Sequence, residues 1–300
     1  MKPKEISVIL PTIEEESVFG MIDRLRRLLP GCEIIVVDKS GEGYRKRLEK
    51  KRVHLIRQTS SGYENALMEG FKAASGILIA TIDPDGTYDP RDLVREISYL
   101  KKNGLDMVLG NRLHGKNSAA MAGHINFGNR NLTKIYNTTH RTKLHDVLSG
   151  VFVMRREAIS SIFNVEPYRA GTLFFVMEIS KKGFNKISDI PVSYRERPGE
   201  AESKLAKSKI LYGLGVAGHI VRSTRDYSPL LIFGSIGAIL LIAGIVIGLL
   251  VVVNYISTGT MNEIGRALIA ILLVVIGFLS IISGLILDLL LQMSRKMDKL

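Results

Sequence analysis

Through the first half of the chain, short apolar runs rich in β-branched residues alternate with amphipathic stretches. This is the pattern of βαβ units and a mostly parallel sheet. Runs at Ile6–Leu10, Glu33–Val37, Val53–Ile56, Ile77–Ile82 and Met107–Leu109 predict strands, and Ser17–Leu28, Glu64–Ala74 and Pro90–Lys102 predict the helices between them. Beyond residue 110 the strand signal thins. Ala119–Thr139 and Thr172–Lys182 read as helices, and Val151–Met154 and Lys186–Pro191 as the remaining strands.

The last quarter follows a different pattern. Leu230–Val253 and Ala267–Leu287 are runs of 24 and 21 residues without a charge. At about 1.5 Å per residue each exceeds the roughly 30 Å hydrocarbon core of a bilayer, so the simplest arrangement is a transmembrane helical hairpin. Gly234, Gly237, Gly244 and Gly248 in the first run, with Gly277 and Gly284 in the second, would let the two helices approach closely. Arg222 and Arg225 precede the hairpin, Arg295, Lys296 and Lys299 follow it, and the connection Asn254–Arg266 carries only Arg266. Retention of basic residues on the cytoplasmic side implies a multi-pass protein with both termini cytosolic. Ile6–Leu10 is too short for the apolar core of a secretory signal. Between the two regions, Lys204–Arg225 reads as a basic helix. Its apolar residues Leu205, Ile210, Leu211, Leu214 and Ile220 could rest on the bilayer surface or pack on the domain.

Charge sharpens this division. All but one unit of the net charge of +12 falls before residue 229. A basic domain could bind nucleic acid, but the tethering lipid bilayer is the nearer polyanion, and no nucleic-acid partner is expected. The single Cys32 excludes an internal disulfide and a cysteine metal cage, and reads as a core thiol. None of the six histidines forms a close zinc-like pair, and His140 and His145 read as surface residues.

In open α/β sheets ligands sit beyond the carboxyl ends of the strands, and the acidic residues fall at those ends. The first strand runs into Pro11-Thr12 and then Glu14, Glu15 and Glu16, the second ends at Asp38, and the fourth ends at Asp83-Pro84-Asp85. An Asp-x-Asp step alone reads more often as a turn than as a metal site. After a buried strand, and joined by Glu15 and Asp38, it points to a nucleotide site. There Asp83 and Asp85 would hold Mg²⁺ or Mn²⁺ against a departing diphosphate. No Gly-rich P-loop ending in Gly-Lys-Ser/Thr is present.

In this order the motifs carry a resemblance. Val8-Ile9-Leu10-Pro11-Thr12 with Glu15, Ile34-Ile35-Val36-Val37-Asp38, Ala66 to Gly76, and Asp83-Pro84-Asp85 come first. Gly110-Asn111-Arg112, Asp146-Val147-Leu148-Ser149-Gly150, the helix bearing Glu178, Arg197-Pro198-Gly199 and Ser203-Lys204-Leu205 complete the series. The chain resembles family 2 glycosyltransferases of the dolichol-phosphate mannose synthase type. The resemblance implies a GT-A-like, doubly wound α/β domain over residues 1–203. A juxtamembrane helix over 204–228, a hairpin over 229–291 and a cytosolic tail over 292–300 would follow. It implies an inverting transfer of one hexose from a nucleotide diphosphate sugar, UDP- or GDP-linked, to dolichyl or another polyprenyl phosphate at the cytosolic face. Pro11, Glu15 and Asp38 would hold the nucleoside, and Asp83 and Asp85 the diphosphate and metal. Arg112 and Arg130 would approach the lipid phosphate, and Ser203 and Lys204 would close over the phosphates.

The chain departs from that pattern at four places. Ile13 stands where a Tyr is usual, Lys39 where a second acidic residue is common, and Thr87 where a Gln is common; Glu200-Ala201-Glu202 lengthens the loop before Ser203. These leave the nucleotide and the sugar open. Two other readings stand beside this one. The first is a processive polysaccharide synthase, although such enzymes usually carry a Gln-x-x-Arg-Trp segment and this chain has no Trp. The second is a non-catalytic membrane module that binds nucleotide sugars.

Overall fold

A computed structural model describes residues 5–114, 123–140, 142–195, 229–260 and 263–297. They fall into two compact units, the second of which contains the C-terminal helices. In the first unit the chain runs β1 (Ile6–Thr12), α1 (Ser17–Leu28), β2 (Glu33–Asp38), α2 (Glu42–Glu49), β3 (His54–Arg57), α3 (Tyr63–Ala73), β4 (Leu78–Ile82), α4 (Pro90–Asn103) and β5 (Met107–Asn111). It continues through α5 (Gly123–His140), of which the residues up to Asn137 belong to this unit, and through β6 (Val151–Arg155), α6 (Arg156–Ser160), α7 (Thr172–Lys181) and β7 (Ile187–Pro191).

The seven strands form one sheet in the order β3-β2-β1-β4-β6-β5-β7. β1, β2, β3 and β4 pair in parallel and so do β5 and β7, whereas β6 runs antiparallel to β4 and to β5. Strands buried on both faces read as continuous apolar runs rather than alternating ones, and every residue of β4 is buried. On one face Val8, Leu10, Val36, Ala80, Ile82 and Val153 pack against Val18, Ile22 and Leu25 of α1 and Leu93, Ile97 and Leu100 of α4. On the other, α3 lies on β1 and β2, and the rings of Phe71, Phe152 and Phe175 meet edge-to-face or tilted at 5.2–6.3 Å. Burying each such side chain stabilises the fold by about 1.5–3 kcal/mol, so the two apolar layers hold the strand ends in place.

Most predicted elements match within a residue or two. α2 and α6 are additions. α2 has only Tyr44 and Leu48, one turn apart, as buried anchors in an otherwise charged segment, so it carries almost no periodic signal. Cys32 is half-buried against the core. The expected basic helix Lys204–Arg225 lies outside the described residues.

The second unit contains α8 (Pro229–Thr258) and α9 (Ile264–Met297), packed along one another. A Cβ on Gly237 would stand 2.6 Å from the carbonyl oxygen of Gly277, and one on Gly277 would stand 2.8 Å from that of Gly237, so the backbones touch there. Gly244 is similarly close to the Ala270 carbonyl, and Ser280 Oγ donates to the Phe233 carbonyl at 2.8 Å. Gly234, by contrast, meets only Leu230 of its own helix. Both helices are long and apolar enough to cross a membrane, with mean hydropathies of 3.2 and 2.9 over their most apolar 18-residue windows. Only 17% of each apolar window is buried, whereas the core helices of soluble domains are mostly buried.

The start of α4 yields a test. Asp89 caps the helix by accepting from the Arg91 N–H at 2.9 Å, Pro90 occupies the first turn, and Gly104 in the left-handed region ends it. The Arg91 side chain, aided by Arg24, holds the Asp89 carboxyl down at about 2. A carboxyl depressed in the folded state adds stability above its unfolded pKa of about 3.9, and that stability is lost as pH falls toward 2. Thermal unfolding of Asp89→Asn, which keeps a capping side chain, should show wild-type loss of stability between about pH 4 and 2 reduced. Asp89→Ala should cost about a further 1 kcal/mol at neutral pH.

Candidate active site

The parallel register brings three strand ends to one edge of the sheet. Thr12 pairs with Asp38, and β4, on the other side of β1, runs directly into Asp83. The loop after β1 turns sharply, with Glu14 in the left-handed region at φ 52°, a conformation that a non-glycine residue adopts only where its surroundings enforce it. The Glu14 N–H donates to Ser40 Oγ at 2.7 Å, and Tyr44 Oη donates to the Glu15 carbonyl at 2.5 Å. Burial, with the charges of Asp38, Glu16 and Glu15 adding to it, pushes the Tyr44 phenol up to about 12, so it remains a donor across the physiological range. Ser17 Oγ lies 2.8 Å from Glu15 Oε1 and 2.6 Å from the Pro84 carbonyl, joining the Glu15 loop to the Asp83-Pro84-Asp85 step.

Asp38 is almost fully enclosed. Its Oδ1 accepts from the Ser40 N–H at 3.1 Å, and its Oδ2 is buried without a hydrogen-bond partner. An unsatisfied buried acceptor is costly, by about 1–3 kcal/mol, and a ligand N–H or O–H is the kind of group that would relieve it. Pro11, half-buried, precedes Thr12 at the end of β1, and Lys39 Nζ reaches Ser61 Oγ at 2.7 Å, bridging the loops that follow β2 and β3.

Asp83 and Asp85 are both half-buried, open enough to meet a ligand. Asp83 extends the β4–β6 pairing by donating its N–H to the Gly150 carbonyl at 3.2 Å, and its Oδ1 accepts from Tyr63 Oη at 3.0 Å. A Cβ on Gly150 would lie 1.9 Å from Asp83 Oδ2, so any side chain there would displace that carboxylate. Asp85 Oδ1 accepts from the Thr87 N–H at 3.1 Å and Thr87 Oγ1 at 2.6 Å, which fixes the carboxylate while leaving Oδ2 for a ligand. Thr87 therefore orients an acidic group here. Among the described residues no group of three or more His, Cys, Asp or Glu is arranged to hold a metal ion. Two carboxylates fit a hard cation such as Mg²⁺ when the substrate's own phosphate oxygens complete the shell.

Beside this step lies an arginine cluster. Arg112 is buried and pairs with the fully buried Asp146 through Nε at 2.7 Å and Nη2 at 2.9 Å, with its guanidinium 5.7 Å from the centre of the Tyr194 ring. Tyr194 packs edge-on against Tyr88, whose Oη accepts from the Gly150 N–H at 2.8 Å, tying this cluster to the floor under Asp83. Arg130, exposed on α5, donates to Asn126 Oδ1 at 2.8 Å and to the Leu113 carbonyl at 3.2 Å, so it reaches the segment that carries Arg112. Glu178 accepts from Lys181 Nζ at 2.6 Å and Tyr168 Oη at 3.1 Å. Ser203 and Lys204 lie outside the described residues. Sequence reasoning assigned no role to Tyr63, Ser17, Gly150 or Asp146. Of these, Asp146 and Gly150 stood in a motif that could have flagged them, whereas Tyr63 had no signal beyond opening a helix.

The mixed, mostly parallel sheet with acidic groups at adjacent strand ends defines a doubly wound α/β domain. The chain belongs to glycosyl transferase family 2, whose family model matches residues 7–163. It is therefore a glycosyltransferase, as the sequence motifs implied. Over 305 residues it is 25% identical to glycosyltransferase AglJ of Haloferax volcanii, covering 99% of this chain and 97% of that protein. It is 30% identical over 227 residues to dolichol-phosphate mannosyltransferase of Pyrococcus furiosus, covering 69% of this chain and 61% of that protein. Among solved structures, the fold is similar to that of glucosyl-3-phosphoglycerate synthase from Mycobacterium tuberculosis in complex with Mn²⁺, UDP and phosphoglyceric acid. The TM-score is 0.53 at 18% identity, covering 74% of this chain and 78% of that one.

The buried ion pair gives a stability prediction. Arg112→Ala leaves Asp146 enclosed without its partner and should cost about 3–5 kcal/mol in a denaturant titration. Adding Asp146→Ala should recover part of that loss, because the uncompensated charge is then gone.

Proposed function

We propose that this glycosyltransferase moves a single hexose from a nucleotide diphosphate sugar to dolichyl or another polyprenyl phosphate, with inversion, at the cytosolic face of a membrane. The observation that carries this reading is the Asp83-Pro84-Asp85 step, joined through Ser17 to Glu15 on the neighbouring strand end. Two further features support it: the unsatisfied acceptor of Asp38, and a hairpin apolar enough to keep the enzyme beside a lipid-borne acceptor. The name of the Pyrococcus furiosus relative points to the same acceptor class.

In this reading Pro11, Glu15 and Asp38 hold the nucleoside, and Asp83 and Asp85 hold Mg²⁺ or Mn²⁺ with the diphosphate. The bound cation would neutralise charge on the departing diphosphate. A phosphate monoester with a second pKa near 6 is about 90% dianion at pH 7, so the acceptor is already a nucleophile and no strong general base is required. An acceptor oxygen bonds to the anomeric carbon as the bond from that carbon to the diphosphate breaks, and the nucleoside diphosphate leaves. Arg130, exposed and bonded to the neutral acceptors Asn126 Oδ1 and the Leu113 carbonyl, would turn its charge to the lipid phosphate. Arg112, neutralised by Asp146, contributes to the same face mainly by fixing the Tyr194–Tyr88 packing beside Gly150. Ser203 and Lys204 would close over the phosphates. Positioning and charge stabilisation supply the catalysis.

A donor panel tests the proposal. Purified full-length protein with dolichyl phosphate, Mg²⁺ or Mn²⁺, and each labelled UDP- or GDP-hexose should yield one preferred lipid-linked monosaccharide. Asp85→Ala should lower the rate by about 10²-fold or more. Undiminished transfer in that variant would remove the metal assignment, and a polymeric product would replace the proposal with a processive synthase. For topology, Ser257→Cys in a Cys32→Ser background should be labelled by an impermeant thiol reagent only from the non-cytosolic side. Labelling from the cytosol would invert the orientation.

A further inference from the structure

Tyr63 takes no part in the chemistry described above, yet its hydroxyl is committed to Asp83 Oδ1 at 3.0 Å. Several independent contacts fix the residues around it. Immediately before it, Gln58 Nε2 donates to the Gly62 carbonyl at 2.8 Å and to the Ser60 carbonyl at 2.5 Å. The Glu69 carboxylate gathers the Thr59 and Ser60 N–H groups and the Thr59 hydroxyl at 2.8–3.2 Å. Immediately after it, the buried Glu64 carboxylate accepts from the N–H groups of Ala170 and Gly171 at 2.9 and 2.6 Å, fastening the start of α3 to the start of α7. Tyr63 is thus held from both sides before it touches Asp83. The opposite side of the Asp83 carboxylate is closed by the bare Cα of Gly150.

From this clamp we propose that Tyr63 is a positioning residue: its hydroxyl locks the rotation of the Asp83 carboxylate so that the group is preorganised for the divalent cation and donor diphosphate. The inference rests on the metal–diphosphate reading of Asp83 and Asp85. A flexible carboxylate must lose rotational freedom when it binds, and a donor that fixes it beforehand removes that cost. Outer-shell donors of this kind typically change metal affinity by about 10- to 100-fold when removed. If the hydroxyl were merely satisfying itself on the nearest acceptor, its loss would be felt in stability and not in affinity.

The test uses the full-length protein in detergent, with Mn²⁺ affinity followed by electron paramagnetic resonance in the presence of UDP and, separately, GDP. Thermal unfolding is recorded alongside. Tyr63→Phe keeps the ring and removes only the hydroxyl. It should weaken Mn²⁺ binding by about 10- to 100-fold while leaving the unfolding temperature close to wild type. In turnover assays it should alter the donor KM and kcat and leave the KM for dolichyl phosphate unchanged. Asp83→Ala serves as the limit and should abolish nucleotide-dependent Mn²⁺ binding. Wild-type affinity in Tyr63→Phe, with or without a drop in unfolding temperature, overturns the positioning role alone, because Asp83→Ala still reports on the site. If the wild-type protein itself binds no Mn²⁺ with either nucleotide, the metal–diphosphate reading fails, and this inference fails with it.

Discussion

Parallel pairing of β1 with both β2 and β4 is the constraint on which the site depends. Because parallel strands all end at the same edge, the turn after β1, Asp38 and Asp83 are delivered to one rim. The register is set by buried apolar residues on both faces of β1 and β4. A one-residue slip in either would exchange the residues facing α1 and α4 for those facing α3. The chemistry is therefore placed by packing. The polar contacts at the rim refine geometry that the core has already imposed.

Those contacts form a chain across the rim. Tyr44 holds the backbone of Glu15, Ser17 links Glu15 to Pro84, and Thr87 fixes one oxygen of Asp85; Tyr63 and Gly150 enclose Asp83. Asp38 retains an unsatisfied oxygen and Asp85 an oxygen beyond its contacts with Thr87, which suits groups that must meet a cation or a ligand without reorganising. The buried Arg112–Asp146 pair lies behind this rim. Its low-dielectric setting makes it a rigid brace, costly to break and of modest net stability.

Much of this was legible in the order of residues, for identifiable reasons. The run Ile77–Ile82 reads as a buried strand because it is uninterrupted, and all of it but the exposed Ile77 is buried in β4. α4 reads as a helix with a clear start and stop because Asp89, Pro90 and Gly104 each have the backbone chemistry their positions require. The direction of β6 was not legible, since Val151–Met154 is equally apolar read either way, and only its pairing with β4 and β5 makes it antiparallel. α2 was hidden because two anchors in a charged segment produce no periodicity. Within the site, Asp38, Asp83 and Asp85 stood out because they follow apolar strands. Tyr63 and Ser17 did not, since their roles come from where a hydroxyl points after the chain has folded, a property with no sequence pattern.

The most direct test of the central claim is anomalous diffraction from crystals of the full-length protein grown with Mn²⁺ and a nucleoside diphosphate. The manganese peak should lie at the end of β4 within about 2.0–2.3 Å of carboxylate oxygens of Asp83 or Asp85, with diphosphate oxygens completing the shell and the nucleoside beside Asp38. A manganese peak elsewhere, or a nucleotide bound away from these strand ends, would contradict the account.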